Sequence, residues 1–249
     1  MTPKLQTPEL PLKDRIALVT GASRGIGRAA ALALAAAGAH VVALARTQGA
    51  LEELDDEIGA QGGTATLVPL DLKDYAGIDR LGAGLFGRFG RLDILVGNAA
   101  ILGPLTPIGH IDLASWDQLL AVNLTANWRL IRSMDPLLRQ SNAGRAIFVT
   151  SGAARTSKAY WGGYAITKSA LDQMVKTYAA ETIKTKVTAN LLDPGPVATA
   201  MRTKAMPGED PATIPAPQDI APQFVAMSRP DFTTSGATFA LGNGTWQKI

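Results

Sequence analysis

The chain has 249 residues, a formal net charge of +3, no cysteine and two histidines, and 47% of its residues are hydrophobic. This length and apolar fraction fit one large α/β domain and exclude a disordered chain. Without cysteine there are no disulfides or thiolate sites, and two histidines are too few for an ordinary zinc site, so we expect no metal. Because Lys and Arg form no stripe, we expect no nucleic-acid partner.

The N-terminal residues 1–12 carry three prolines and lack the apolar core of a signal peptide. We therefore expect a flexible arm over 1–12 and a single domain over 13–249. The longest apolar stretch runs from Ala29 to Ala45, but Gly38 and His40 divide it into a helix and a strand. We expect no membrane span and, by default, a cytoplasmic location.

Short buried apolar runs alternate with amphipathic runs along the chain. The runs typical of strands are 16–19, 41–44, 64–70, 92–96, 146–149, 187–192 and 237–241. The runs typical of helices are 29–37, 51–58, a stretch through Leu81 and Leu85 to Phe89, 115–138 with Ser115 as N-cap, 160–182 and 220–227. This alternation predicts a Rossmann-type, doubly wound parallel β-sheet of about seven strands with helices on both faces.

Three glycines, Gly21, Gly25 and Gly27, connect the first strand to the first helix in a G-x-x-x-G-x-G pattern. Glycines in such a turn let a ligand approach the backbone, and the following helix N-terminus favours a phosphate group. A purely structural strand-to-helix turn is the alternative interpretation.

The segment from about 195 to 218 is rich in proline and has no regular pattern. A stretch of this length in a compact domain is typical of a substrate lid, with an inert surface loop as the alternative.

Polar residues at the carboxyl ends of the strands mark the expected ligand site. Just after the fifth strand lie Ser151, Tyr164 and Lys168, and the last two are four residues apart on one helix face. A lysine cation beside a tyrosine lowers the pKa of the phenol, which then exchanges a proton with a carbonyl or alcohol oxygen. Ser151 could hydrogen-bond the same oxygen. Taken singly, each residue also has an ordinary structural explanation.

Together, Thr20-Gly21-x3-Gly25-x-Gly27, Asn98-Ala99, Asn123, Ser151, Tyr164-x3-Lys168 and Pro194-Gly195 resemble the short-chain dehydrogenase/reductase family. The resemblance extends from about Lys13 to the last strand. It implies that Tyr164 is the general acid/base, that Ser151 holds the substrate oxygen, and that Lys168 tunes Tyr164 and binds a ribose hydroxyl. It also implies that Asn123 completes a water-linked proton relay, the alternative being a buried asparagine that bonds a backbone carbonyl.

The resemblance also implies a cofactor site. Asp71 would contact the adenine, Asn98 would brace the central strand, and Pro194, Gly195 and Thr199 would hold the nicotinamide. The full cofactor-binding set is Gly21, Ser23, Arg24, Gly25, Ile26, Gly27, Arg46, Asp71, Leu72, Asn98, Ala99, Tyr164, Lys168, Pro194, Gly195, Val197 and Thr199.

Two positions depart from the family pattern. Ala100 replaces the glycine of Asn-Ala-Gly, and Leu241-Gly242-Asn243-Gly244 replaces a C-terminal Asp-Gly-Gly.

Two arginines bear on the choice between NADP(H) and NAD(H). The second strand ends in Ala45-Arg46, and no acid follows before Glu52. An acid there would hold the ribose 2′-hydroxyl of NAD, whereas arginine accommodates the 2′-phosphate of NADP. Arg24, inside the glycine turn, could reach the same phosphate. The pattern favours NADP(H) over NAD(H), although both residues could be ordinary surface arginines.

We therefore expect an NADP(H)-dependent carbonyl reductase or alcohol dehydrogenase that acts on a small-molecule carbonyl or alcohol. The residues that suggest a largely apolar substrate are Ile101, Leu102, Trp161, Met201, Met206 and Ile214. Arg202 and Lys204 could bind an anionic end, or could be solvated charges. The alternative function is a catalytically silent dinucleotide sensor or scaffold on the same fold. By resemblance, the chain would form a homotetramer or homodimer through helices 115–138 and 160–182.

Overall fold

The computed structural model describes residues 10–242 and 245–249, and its centre is an eight-stranded sheet of order β3-β2-β1-β4-β5-β6-β7-β8. Neighbouring strands are parallel except for the antiparallel pair β7 and β8. The bounds are β1 (Ile16–Thr20), β2 (His40–Ala45), β3 (Thr64–Pro69), β4 (Ile94–Gly97), β5 (Arg145–Val149), β6 (Thr188–Asp193), β7 (Thr238–Gly242) and β8 (Thr245–Lys248).

Helices connect the parallel strands and cover both faces of the sheet. Their bounds are α1 (Gly25–Ala36), α2 (Gln48–Ala60), α3 (Tyr75–Phe89), α4 (Leu113–Leu119), α5 (Ala126–Gln140), α6 (Gly162–Glu181), α7 (Ala200–Ala205) and α8 (Pro217–Ser228). This arrangement confirms the doubly wound Rossmann-type α/β fold.

Alternation along the buried strands explains why two layers of helices form. On β1, Ala17 and Val19 belong to one core cluster, whereas Leu18 belongs to the other. The first cluster includes side chains of α1, α2 and α8, and the second includes side chains of α3, α5 and α6. A strand that is buried on both faces is apolar along most of its length. This explains why the strands appear in the sequence as continuous hydrophobic runs.

The expectation of one helix over 115–138 is wrong about where the helix begins and about its being a continuous α-helix. Asp112, not Ser115, is the N-cap of α4, and its carboxylate accepts the backbone N–H of Ser115 at 2.9 Å. Between α4 and α5, Leu120–Thr125 is π-helical. Such π-helical turns within α-helices are frequent at functional sites, and this one includes Asn123.

The ends of the chain also differ from the expectations. Leu12, placed in the arm, is fully buried and donates its N–H to the carbonyl of Ala37 at 2.9 Å, so packed structure begins before residue 13. Residues 1–9 of the expected arm lie outside the described residues, as do Asn243 and Gly244 of the C-terminal departure. Strand β8 is an additional strand beyond the seven expected.

The expected lid is less irregular than its prolines indicate. It contains α7 and a 3-10 turn over Pro211–Thr213, and α8 begins at Pro217 rather than near Ile220. Within residues 10–242 and 245–249, no helix combines the length and apolarity needed to cross a bilayer.

Candidate active site

The carboxyl ends of the parallel strands bring the predicted site residues to one edge of the sheet. Gly21 follows β1, Asn98 follows β4, and Ser151 lies two residues beyond β5. The turn with Pro194 and Gly195 follows β6. In doubly wound sheets this edge is where ligands bind, so the topology gathers these residues at the expected ligand-binding edge.

The glycine turn leaves no room for a Cβ at Gly21 or Gly27. Gly21 has φ +66° and Gly25 has φ +57°, both in the left-handed region that favours glycine. A Cβ on Gly21 would lie 2.9 Å from Nδ2 of Asn98, and one on Gly27 would overlap the carbonyl oxygen of Gly21. A Cβ on Gly25 would meet Cγ2 of Thr199 at 3.4 Å. Thr199 therefore faces the turn, as a shared cofactor site requires.

Thr20 ties the glycine turn to the end of β4. Its buried hydroxyl donates to the carbonyl of Val96 at 3.2 Å and accepts the N–H groups of Asn98 and Ala99 at 3.0 and 3.1 Å. The amide of Asn98 returns a hydrogen bond to the carbonyl of Thr20 at 2.9 Å. These contacts make Asn98 a brace between strands β1 and β4.

Two exposed arginines lie at the carboxyl ends of neighbouring strands: Arg24 is within the glycine turn after β1, and Arg46 directly follows β2. Within the described part of the chain neither makes an ion pair, so both guanidinium groups are available to an anion. Asp71 is half-buried, and its carboxylate is held by the N–H of Lys73 at 2.9 Å.

Two members of the expected cofactor set belong to the core. Leu72 is 5% exposed and Val197 is 4% exposed, and each packs within a hydrophobic cluster. We therefore expect any contact of these two residues with a cofactor to come mainly from their backbone atoms.

The side chains of Tyr164 and Ser151 form a hydrogen bond, and burial has the largest effect on the pKa of the Tyr164 phenol. The side chain of Tyr164 is 8% exposed, and burial raises its pKa to about 12, although a hydrogen bond with the Ser151 side chain opposes the rise. The negative charge of Asp193 adds to the increase. Burial thus outweighs any lowering of this pKa by the Lys168 charge, and the phenol keeps its proton at neutral pH. That Lys168 tunes Tyr164 stays a prediction.

Lys168 lies one helical turn from Tyr164, with its ammonium nitrogen 5.8 Å from the centroid of the phenol ring. The side chain is 2% exposed and donates to the carbonyl of Val149, the last residue of β5, at 2.8 Å. Burial lowers its pKa to about 8, while the charges of Asp172 and Asp193 oppose that change. At neutral pH the ammonium form therefore predominates, with two N–H groups left for a ligand.

Asn123 is fully buried in the π-helical segment, and its side chain has structural partners. Its carboxamide oxygen accepts the N–H of Ile101 at 2.8 Å, and its nitrogen donates to the carbonyl of Ile101 at 2.9 Å. The same nitrogen donates to the hydroxyl of Thr167 at 3.1 Å. Asn123 thus fixes the loop after β4 to helix α6. Its hydrogen bond to the carbonyl of Ile101 is the contact expected of the alternative interpretation, a buried asparagine that bonds a backbone carbonyl.

Three charged residues at the site received no role in the sequence analysis. Arg155 forms an ion pair with Asp193, and one of its guanidinium nitrogens lies 3.8 Å from the carboxylate of Asp172. In the sequence, only Asp193 carried a signal for the site, since it lies at the carboxyl end of a strand. Arg155 and Asp172 carried none, because only the fold brings them together.

In the expected lid, Arg202 is engaged by its own segment. Its guanidinium makes two contacts of 2.5 Å with the carboxylate of Glu209, so its charge is already compensated. Lys204 is exposed on α7.

Comparison with known proteins identifies the family. Residues 15–210 match the family model described as short chain dehydrogenase. The uncharacterised oxidoreductase YciK of Escherichia coli (strain K12) is 34% identical over 232 residues, which cover 92% of this chain and 92% of that protein.

Two solved structures have the same architecture. A short chain dehydrogenase from Pseudomonas syringae is 39% identical with a TM-score of 0.90, over 94% of this chain and 96% of that one. Another, from Shigella flexneri 2a str. 301 and complexed with NADP, is 33% identical with a TM-score of 0.89, over 93% of this chain and 98% of that one. The family match includes the glycine turn, Ser151, Tyr164 and Lys168, so the chain belongs to the short-chain dehydrogenase/reductase family of oxidoreductases.

Proposed function

We propose that this protein is an NADP(H)-dependent carbonyl reductase, reversible as an alcohol dehydrogenase, in which Tyr164 is the general acid/base. The observation that carries the proposal is the buried phenol of Tyr164, which lies beside Ser151 and Lys168 at the carboxyl edge of the sheet. A phenol that retains its proton at neutral pH suits donation to a carbonyl oxygen.

Each residue of the site has a task in this reaction. When bound, NADPH supplies the hydride that reaches the carbonyl carbon. The hydroxyl of Ser151 hydrogen-bonds the carbonyl oxygen and stabilises the charge that develops there. Tyr164 transfers its proton to that oxygen, and Lys168 stabilises the resulting phenolate and holds a ribose hydroxyl. Asn123 holds the Ile101 loop; a proton relay at this residue would use its backbone carbonyl, which also accepts from Asn127 at 2.8 Å.

The preference for NADP(H) rests on Arg24 and Arg46. Both are exposed and without an ion pair in the described residues, and a guanidinium matches a phosphate in geometry and charge. The relative from Shigella flexneri that was crystallised with NADP supports the same choice.

Cofactor titration tests this preference. We expect NADPH to bind at least about tenfold more tightly than NADH, which corresponds to about 1.4 kcal/mol. Arg46→Asp should reverse the order, because a carboxylate repels the 2′-phosphate and accepts from the 2′-hydroxyl. Lys184→Asp makes the same change of charge on an exposed residue before β6 and should leave the order intact. Equal affinities of the unaltered protein for NADPH and NADH would contradict the preference.

The substrate we propose is a small, largely apolar carbonyl compound. Trp161 packs edge-on to Tyr164 with ring centroids 6.2 Å apart, so an apolar surface adjoins the proton donor. Because Glu209 compensates Arg202, only Lys204 remains of the two cations considered for an anionic end. Ketones, steroids and 3-oxoacyl thioesters belong in a screen, and we expect the apolar ketones to react best.

The assay follows oxidation of NADPH with each carbonyl compound, in the unaltered protein and in Tyr164→Phe. Turnover that disappears in the variant while NADPH affinity remains would support the enzyme. Tight NADPH binding without turnover across the whole panel would instead favour a dinucleotide sensor or scaffold.

Assembly and location complete the proposal. Trp128 on α5 is 46% exposed and Ile166 on α6 is 39% exposed, so both helices have apolar side chains available for a homodimer or homotetramer. Light scattering after size-exclusion chromatography measures the assembly, and imaging of a tagged chain tests a cytoplasmic location.

A further inference from the structure

One guanidinium group connects three segments of the active site. Arg155 ends the 3-10 turn that follows Ser151, and it forms an ion pair with Asp193, the last residue of β6. Its second contact, at 3.8 Å, is the carboxylate of Asp172 on α6, one turn beyond Lys168. Arg155 therefore links the Ser151 turn, the helix of Tyr164 and the end of β6.

The two carboxylates have further partners that fix their orientation. The other oxygen of Asp193 accepts the N–H of Gly195 at 3.1 Å, within the turn proposed to hold the nicotinamide. Asp172 accepts the hydroxyl of Thr150, the residue before Ser151. Any displacement of Arg155 would therefore be transmitted to both sides of the reacting centre.

Burial makes charge balance essential in this cluster. Asp172 is 7% exposed and Asp193 is 5% exposed, and buried carboxylates are stable only when they are paired and hydrogen-bonded. Arg155 and the fully buried Lys168 supply two positive charges against these two negative ones. The four groups together are neutral.

Lys168 depends on this balance. Burial favours its neutral form, and among the described elements packed around it the charges that oppose burial are Asp172 on α6 and Asp193 on β6. Arg155 and Lys176 act in turn on Asp172, and burial keeps Tyr164 neutral up to high pH. Removing one charge from the cluster should therefore change the ionisation of Lys168.

We propose that Arg155, Asp172 and Asp193 form an ion-pair cluster that aligns the Ser151 turn, helix α6 and the Gly195 turn, and that balances the charge of Lys168. The proposal rests on the proposed function, in which Lys168 binds the cofactor as an ammonium ion. These three are positioning residues because they act through Lys168, Ser151 and Gly195.

The test measures the dissociation constant of NADPH across pH. In the unaltered protein, affinity should decrease as Lys168 loses its proton, with a midpoint near pH 8. Asp193→Asn removes a negative charge and should move the midpoint to lower pH by about one unit, whereas Arg155→Met removes a positive charge and should move it upward. The double variant should return close to the original midpoint, and Arg155→Lys, which keeps the charge, should not move it.

Arg139→Met is the matched control. Arg139 has a similarly exposed side chain and an ion pair with Asp135, but it lies at the C-terminal end of α5, just before the amino end of β5. This variant should keep the midpoint of the unaltered protein.

A merely structural role for the cluster would weaken NADPH binding at every pH without opposite shifts of the midpoint, and that result would overturn the proposal. If Arg155→Met does not fold, Asp193→Asn and Asp172→Asn decide the question, since both must lower the midpoint. If the unaltered protein does not bind NADPH, the proposed function fails. The pH dependence of urea unfolding then reports the same ionisation of Lys168, and unchanged midpoints there would overturn the cluster's role.

Discussion

Replacing Gly21 with alanine destabilises the folded protein in two separate ways, through its backbone conformation and through steric overlap. The residue has φ +66°, where an L-amino acid is less stable by about 1–2 kcal/mol. The new methyl group would also lie 2.9 Å from the Asn98 amide and 3.1 Å from Cα of Ala99, and overpacking of this kind costs about 1–3 kcal/mol. We therefore expect Gly21→Ala to lower the free energy of unfolding by about 2–5 kcal/mol.

Gly90 provides the matched comparison. It ends α3 with φ +69°, and a Cβ there would meet no heavy atom within 4 Å. Gly90→Ala should therefore show the conformational cost alone, about 1–2 kcal/mol. The difference between the two variants isolates the overlap with Asn98 and Ala99.

Urea unfolding measures the difference as a shift of the midpoint at constant slope, and NADPH titration measures its effect on the site. We expect Gly21→Ala to lose at least about tenfold in NADPH affinity, whereas Gly90→Ala keeps the affinity of the unaltered protein. Equal stability and equal NADPH affinity in the two variants would refute the inference that the turn is closed to side chains.

Three further changes test other parts of the site. Thr20→Val leaves the partly buried N–H groups of Asn98 and Ala99 without an acceptor and should lower the free energy of unfolding by about 2–4 kcal/mol. Thr20→Ser should cost far less, and equal costs in urea unfolding would contradict the bracing role. Lys168 should contribute an increase in the free energy of unfolding above pH 8, because up to pH 10.5 only the unfolded chain still holds the Lys168 proton, and Lys168→Met should remove this contribution. Tyr164 should contribute a decrease between pH 10 and 12, where it keeps its proton only in the folded protein, and Tyr164→Phe should remove that contribution. Profiles that the two variants leave unchanged would show that these groups do not titrate as inferred.

The strand–turn–helix unit at the start of the domain could be predicted because its signals are local. The apolar run of β1, the three glycines and the alanine-rich α1 are adjacent in sequence, and each favours the element that it forms. Strand β8 could not be predicted in the same way. Its pairing with β7 places a short, largely exposed segment at the sheet edge, where no strong apolar pattern is required.

Helix details were less predictable because competing residues carry the same signal. Asp112 and Ser115 are both good N-caps, and only the observed hydrogen bond distinguishes them. The π-helical segment after α4 has the apolar spacing of an ordinary helix. Within it, Asn123 contacts Ile101 and Thr167, which are distant in the sequence and meet it only in the fold.

The electrostatics of the site required the tertiary structure. The sequence places Lys168 one turn from Tyr164, but the burial that raises the pKa of the phenol comes from packing around α6. The cluster of Arg155, Asp172 and Asp193 likewise joins residues 17 to 38 positions apart in the chain, so its charges become neighbours only when the sheet forms.

Transfer of deuterium from NADPH labelled at its transferable position is the most direct measurement of the proposed reaction. With a carbonyl substrate found in the screen, mass spectrometry of the product alcohol should show the label on the carbinol carbon for the unaltered protein. Tyr164→Phe, which retains the cofactor site but has no proton to donate, should bind labelled NADPH and form almost no labelled alcohol. Labelled product at an undiminished rate in Tyr164→Phe would contradict the assignment of Tyr164 as the general acid.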